Sequence, residues 1–150
     1  MKTVLQRVTR AAVRVDGEVV GEIDRGVMLL VGVLEGDTEA DADATADKIA
    51  GLRIFGGRTP MDLDLAAVGG GCLVVSQFTL AGTVKKGRRP GFDAAQAPER
   101  ATALYERVAQ RLRDTGLFVA TGRFGAKMEI DMVCDGPVTL LVFTQDGRVV

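Results

Sequence analysis

Three short stretches of this chain carry residue types and spacings that could do chemistry, and none contains a histidine. The first is Ser76-Gln77-Phe78-Thr79, three hydrogen-bonding side chains placed directly after the apolar run Cys72–Val75. Strand alternation would put Ser76 and Phe78 on one face and Gln77 and Thr79 on the other. Thr79 could act as a nucleophile only with an activating base, and the motif supplies neither histidine nor lysine. The alternative is electrophilic. Backbone N–H groups near Phe78 and Thr79, with the Ser76 hydroxyl and the Gln77 amide, would offer donors to a developing oxyanion. A strand that merely ends in polar residues would read the same way.

The second stretch is Met132 to Leu140, which sets Gly136-Pro137 between two β-rich runs. Proline cannot donate to a sheet ladder and is pushed to edges, bulges and turns. Gly136 adds backbone freedom, Pro137 can take the cis form at modest cost, and together they can aim bare carbonyls into a site. Asp135-Gly136 is equally a hairpin signal. The third stretch, Lys85-Lys86-Gly87-Arg88-Arg89, is either a solvated loop or a phosphate clamp for a nucleic-acid strand. Phe124 and Met128, four residues apart, are either core residues or a soft stacking surface for a nucleobase. Asp62 and Asp64 alternate like an acid/base pair but suit a solubilised edge strand as well. No Walker loop, dinucleotide fingerprint or metal constellation is present, so no metal or cofactor is expected.

The lack of histidine removes the usual general base, the Ser-His and Cys-His nucleophile pairs and the commonest zinc ligand together. A formal net charge of −1 argues against coating nucleic acid by bulk electrostatics, while leaving room for a local basic patch. Cys72 and Cys134 form no CxxC and read as reduced strand residues. With 47% hydrophobic and 26% charged residues, no apolar run of about 18 and no signal-like N-terminus, the chain is expected in the cytoplasm and off the membrane.

These residues need elements to hold them. Lys2–Val8 and Ala12–Val15 read as strands, with Asp16-Gly17 turning a hairpin into Glu18–Val20. Val27–Leu34 is a continuous apolar run expected at the centre of a sheet. Asp37 or Thr38 caps a first helix whose stripe runs from Ala42 through Leu52-Arg53-Ile54 until Gly56-Gly57 stops it. Pro60–Leu65 alternates like a short strand, and Cys72–Leu80 reads as a second buried strand. Pro98-Glu99 opens a second helix, carried by Ala101, Leu104, Tyr105, Val108 and Leu112 and ended by Gly116. Leu117–Thr121, Met128–Val133 and Val138–Thr144 read as strands, with a frayed tail from about residue 145. The 150 residues thus predict one α+β domain, a mostly antiparallel, barrel-like sheet with two main helices.

Gln6-Arg7-Val8, Arg53-Ile54-Phe55, Ser76-Gln77-Phe78-Thr79-Leu80, Arg89-Pro90-Gly91-Phe92, Thr121-Gly122-Arg123-Phe124 and Asp135-Gly136-Pro137-Val138-Thr139 together resemble the bacterial D-aminoacyl-tRNA deacylases. The resemblance runs from about Lys2 to Phe143. It implies the corresponding fold and an obligate homodimer with active sites at the subunit interface. It also implies hydrolysis of the ester of D-aminoacyl-tRNA, a proofreading step in translation that extends to glycine mischarged on tRNA-Ala. Ser76, Gln77, Phe78 and Thr79 would lie at the scissile ester, and Phe124 and Met128 at the 3′-terminal adenosine. Gly136 and Pro137, joined by a cis bond, would enter the partner's pocket and exclude L side chains through their carbonyls, with Arg7 behind them. Catalysis would use backbone donors and the terminal 2′-hydroxyl, which suits a chain without histidine. The family usually carries asparagine where this chain has Cys134, a weaker hydrogen-bonding group.

Two other functions fit parts of the pattern. A non-catalytic nucleic-acid-binding protein would rely on Lys85, Lys86, Arg88 and Arg89. An editing enzyme for a small L-amino acid would need Pro137 in a trans bond.

Overall fold

The computed structural model describes residues 1–150. Its elements are β1 (Lys2–Val15), β2 (Glu18–Ile23), β3 (Gly26–Gly32), α1 (Glu39–Gly51), β4 (Gly71–Ser76), α2 (Pro98–Asp114), β5 (Phe118–Thr121), β6 (Glu129–Gln145) and β7 (Arg148–Val149). One sheet runs β5-β4-β3-β1-β6-β7, with β2 paired to the second half of β1. The pairings of β1 with β2, β3 and β6, and of β6 with β7, are antiparallel, as expected for most of the sheet. Those of β3 with β4 and β4 with β5 are parallel, because α1 and α2 are the crossovers that such pairs need. The result is a single domain with a curled, mixed half-barrel and two helices.

Period-two alternation divides the apolar residues between two cores. Val27, Leu29, Val31, Cys72 and Val74 face the helices in a cluster of 23 buried residues. Val8, Val13, Ile23, Met28, Leu73 and Val75 belong to a second cluster of 7 on the opposite side of the strands, inside the curl. The strands β3 and β4 are therefore covered on both faces, which explains their unbroken apolar runs. Thr38 caps helix α1, its N–H and hydroxyl both donating to Asp41 Oδ2, at 2.8 and 2.9 Å.

Several element boundaries differ from the sequence reading for local reasons. Helix α1 ends at Gly51 rather than at Gly56-Gly57: Leu52 is already extended, and Ile54 and Phe55 leave the helix to enter the core. Residues Pro60–Leu65 form no strand; Leu63 makes one isolated bridge to Phe55. Strand β4 stops at Ser76, and Phe78–Ala81 is a 3-10 turn. The tail does not fray. Asp146 and Gly147, both at positive φ, reverse the chain so that β7 pairs with the end of β6, and the Gly147 N–H donates to Asp41 Oδ1 at 2.9 Å.

The largest difference concerns the two long strands. Lys2–Val8 and Ala12–Val15 are one strand, β1, and the two runs flanking Gly136-Pro137 are also one strand, β6. Asp135-Gly136 is thus no hairpin turn. Gln6 pairs with Thr139 and Val8 with Cys134, so Arg7 alone faces the four residues from Asp135 to Val138. A proline without an N–H is accommodated by extruding the surplus residues as a bulge while the ladder resumes on either side.

Candidate functional site

The parallel strands β3, β4 and β5 end at the same side of the sheet, the usual address for a ligand site in such sheets. A groove of about 660 Å³ opens there. It is lined by Val31 near the end of β3 and Val33 just after it, by Val75, Ser76, Gln77 and Phe78, by Phe92, Ala95 and Gln96, by Ala101 and Tyr105 of α2, and by Phe124, Met128 and Ile130. Five residues singled out from sequence, Ser76, Gln77, Phe78, Phe124 and Met128, share this one groove.

Breaking β4 at Ser76 cancels the simple alternation expected for residues 76 to 79. Gln77 N–H donates to Val31 O at 2.8 Å, which fixes the start of the 3-10 turn against β3. Leu80 N–H then donates to Gln77 O at 3.2 Å, and Gly82 N–H to Thr79 O at 2.9 Å. The N–H groups of Phe78 and Thr79, first in the turn, have no partner within it. Thr79 is exposed beside the groove, and its Oγ1 accepts a 2.6 Å hydrogen bond from Gln77 Nε2. An amide donor cannot deprotonate a hydroxyl, so Thr79 has no base.

Aromatic contacts shape the walls. Phe78, 60% exposed, meets Phe92 edge to face at 5.2 Å between centroids. Phe124 tilts against Tyr105 at 6.0 Å. The Tyr105 hydroxyl donates to Val74 O at 2.8 Å, and burial pushes its pKa up to about 12. Cys72, buried in the helix-side core, is likewise pushed up to about 12 by desolvation. Both stay protonated near neutrality, so neither supplies a base or a thiolate.

Arg7, Gly136 and Pro137 form a separate assembly that does not line this groove. The Gly136-Pro137 bond is cis, and Gly136 has φ of +115°. Arg7 lies behind it: Nε is 3.1 Å from both Asp135 O and Asp135 Oδ2, and Nη1 donates to Ile54 O. A Cβ on Gly136 would come within 2.9 Å of Arg7 Nη2. Gln6, which the sequence reading did not single out, braces the other flank. Its Nε2 donates to Val138 O at 3.2 Å and its Oε1 accepts from the Thr139 hydroxyl. A glutamine between Leu5 and Val8 in a strand was the available signal. Phe92 was also missed, since a loop phenylalanine carries no periodicity.

Gly136 and Pro137 are exposed, as is Cys134, and the same strand exposes Met132, Val133 and Leu141. Lys85, Lys86, Arg88 and Arg89 are exposed and line no part of the groove. Their loop is pinched at its base by paired hydrogen bonds between Thr83 and Gly91 of 2.8 and 2.9 Å, next to Phe92. No group of three or more acidic, cysteine or histidine side chains is placed to hold a metal ion. No helix is long and apolar enough to cross a membrane.

Fold and groove define the class: an α+β half-barrel with an aromatic-walled site at the ends of its parallel strands and hydrogen-bond donors, not a nucleophile–base pair, at its rim. Residues 4–143 match the family described as D-Tyr-tRNA(Tyr) deacylase. A D-aminoacyl-tRNA deacylase of Anaeromyxobacter dehalogenans is 54% identical over 143 residues, covering 95% of this chain and 96% of that protein. One of Halalkalibacterium halodurans is 54% identical over 145 residues, covering 95% and 98%. Among solved structures, a c-Myc DNA unwinding element binding protein superposes with a TM-score of 0.90 at 37% identity, covering 97% of this chain and 99% of the other. A probable eukaryotic D-amino acid tRNA deacylase shares the fold, with a TM-score of 0.79 at 21% identity over 93% and 97% of the two chains. The chain belongs to the D-aminoacyl-tRNA deacylase family.

Proposed function

We propose that this protein hydrolyses the ester of D-aminoacyl-tRNA, releasing a free D-amino acid and tRNA. The observation that carries the reading is the 3-10 turn Phe78–Ala81, entered through Gln77. The N–H groups of Phe78 and Thr79 have no partner in this turn, and Phe78 lines a groove walled by Phe124 and Met128. The terminal adenosine stacks against Phe124 and Met128, and its ester reaches the turn. Water adds to the ester carbonyl, and the N–H groups of Phe78 and Thr79 stabilise the oxyanion. Ser76 and Gln77 orient the ester, and the 2′-hydroxyl of the terminal ribose assists proton movement to the leaving 3′-oxygen. The reaction uses no cofactor.

Selectivity is by exclusion. Gly136 and Pro137 serve as a wall inserted into the groove of a second copy, where their carbonyls clash with an L side chain and leave a D side chain free. Glycyl-tRNA, with no side chain to reject, is a substrate too. Supporting this dimer are the exposure of Gly136 and Pro137, their absence from their own groove's lining, and the exposed Met132, Val133 and Leu141 on the same strand. The reaction belongs in the cytoplasm, where aminoacyl-tRNA is made and used.

A second reading, binding nucleic acid without turnover, is favoured by the free basic loop Lys85–Arg89 and by the DNA-binding name of the structure sharing 37% identity. Parallel assays of amino-acid release from D-tyrosyl-tRNA and L-tyrosyl-tRNA separate the two. Fast release from the D ester alone is expected; release from both at similar rates, or from neither, refutes the deacylase reading.

A further inference from the structure

We propose that the phosphates just upstream of the terminal adenosine are held by Arg113 and Arg123, in a second groove adjoining the first, and not by the basic loop. This rests on the deacylase reading and extends it from the nucleoside to the strand attached to it. The second groove has a volume of about 710 Å³ and lies between α2 and the end of β5. Tyr105 and Phe124 line both grooves, so the two adjoin at the Phe124 ring, and the nucleotides preceding a base stacked there lie next to the second groove.

The charges along this path suit a polyanion. Arg123 is exposed and makes neither an ion pair nor a side-chain hydrogen bond within the chain. Arg113 has no carboxylate partner, and its one side-chain hydrogen bond is a 3.5 Å approach of Nη2 to Val119 O. The third arginine of the groove, Arg107, is already committed to Glu39 and Asp43 at 3.1 and 2.8 Å. Glu106 is the single acidic residue in the lining; Asp114, close by, accepts from Gln110 at 2.8 Å. Two unpaired guanidinium groups therefore follow directly from the base-stacking residue, and Arg123 is its chain neighbour. Guanidinium groups suit phosphate because they donate in pairs from a planar fork.

By contrast, Lys85, Lys86, Arg88 and Arg89 share no lining residue with the nucleoside groove. Their loop reaches it only through Phe92 and the Thr83–Gly91 pinch. Its cations serve more distant phosphates or general attraction, and their removal should weaken association without selecting the acceptor end.

The test compares two substrates, D-tyrosyl-tRNA and the D-tyrosyl ester of adenosine alone, in steady-state deacylation at several salt concentrations. Arg123→Ala is expected to raise KM for D-tyrosyl-tRNA roughly tenfold at unchanged kcat, and to reduce the log–log salt slope by about 0.7, one single-strand phosphate contact. Hydrolysis of D-tyrosyl-adenosine should be unaffected, and Arg123→Lys should recover part of the loss. Because Arg113 also touches Val119, Arg123 carries the test alone and Arg113→Lys supplements it. A tRNA KM for Arg123→Ala within about twofold of the parent overturns the proposal, as does an equal loss on both substrates, since either falls below a phosphate-specific effect. A parent enzyme that cleaves neither ester refutes the deacylase reading, and this inference falls with it.

Discussion

Replacing Arg7 tests whether the wall is held from behind. Its guanidinium spans from Asp135, at the start of the bulge, to the carbonyl of Ile54, which is only 4% exposed. In Arg7→Ala the Asp135 carbonyl and carboxylate can be rehydrated, because that side chain is 39% exposed. The buried Ile54 carbonyl cannot, and an unsatisfied buried acceptor costs about 1–3 kcal/mol. Adding lost packing of the arginine stem gives a total of about 2–4 kcal/mol. For a domain of this size each kcal/mol lowers Tm by about 2–4 °C, so a fall of roughly 5–15 °C is expected in thermal unfolding followed by circular dichroism. Selectivity should change as well. With Asp135–Val138 facing an alanine, the wall loses its support on β1, and L-tyrosyl-tRNA should be released about tenfold faster relative to the D ester, equivalent to about 1.4 kcal/mol of lost rejection. Arg7→Lys, which keeps the charge but cannot fork between the two sites, should fall between. A Tm within about 1 °C of the parent would refute the packing argument. A lower Tm with an unchanged D/L ratio would show that Arg7 stabilises the fold without shaping selection.

Two further changes probe other parts of the structure. Thr79→Ala removes a hydroxyl that has an amide neighbour and no base, so single-turnover deacylation should stay within about tenfold of the parent; complete loss would restore a covalent mechanism through Thr79. Asp41 tests the tail. Burial alone would raise its pKa, but hydrogen bonds from Gly147 N–H, Thr38 N–H and the Thr38 hydroxyl, with the N-terminal ammonium nearby, outweigh burial and hold it below the ordinary 3.8. The unfolded chain therefore binds the proton more readily. This stabilisation is complete above pH 3.8 and is lost as pH falls through the lower folded value. Asp41→Asn should lose about 1–2 kcal/mol in urea unfolding at pH 7 and show a smaller further loss on acidification. Equal acid sensitivity in both proteins would contradict this account.

How much of this was legible in the sequence depended on whether the signal was local. The runs Val27–Leu34 and Cys72–Leu80 read as buried strands, and they are strands as far as Gly32 and Ser76, because both faces are covered there and an apolar run states that directly. Helix α2 was legible because Leu104, Tyr105, Val108 and Leu112 repeat at helical spacing. Parallel pairing was less visible, since it depends on where α1 and α2 return the chain. The end of α1 was misplaced because Ile54 and Phe55 continue the apolar pattern while serving a different part of the core. Of the residues that line the groove, Ser76, Gln77 and Phe78 stand out in the sequence by their position after an apolar run. Phe124 and Met128 stand out by their chemistry. Neither route reveals that a 3-10 turn places the Gln77 amide on Thr79, which follows from the Gln77–Val31 hydrogen bond across strands.

The Gly136-Pro137 step shows most clearly why local reading stops short. Asp-Gly ordinarily reverses a chain, and a proline ordinarily ends a strand, yet β6 continues through both. What overrides the local preference is β1, a 14-residue partner that pairs with β6 before and after the interruption. With both flanks fixed by the ladder, the surplus residues can only leave the plane of the sheet. Gln6 and Arg7, adjacent on β1, then hold the two shoulders of the bulge, Val138-Thr139 on one side and Asp135 on the other. A hairpin tip in this place would be joined to the fold by its two stems alone and could yield to a side chain pressed against it. A bulge inside a long ladder is anchored on both flanks, so the exposed Gly136 and Pro137 are held more firmly than a hairpin tip would be. The proposed rejection of one enantiomer by steric exclusion requires that stiffness.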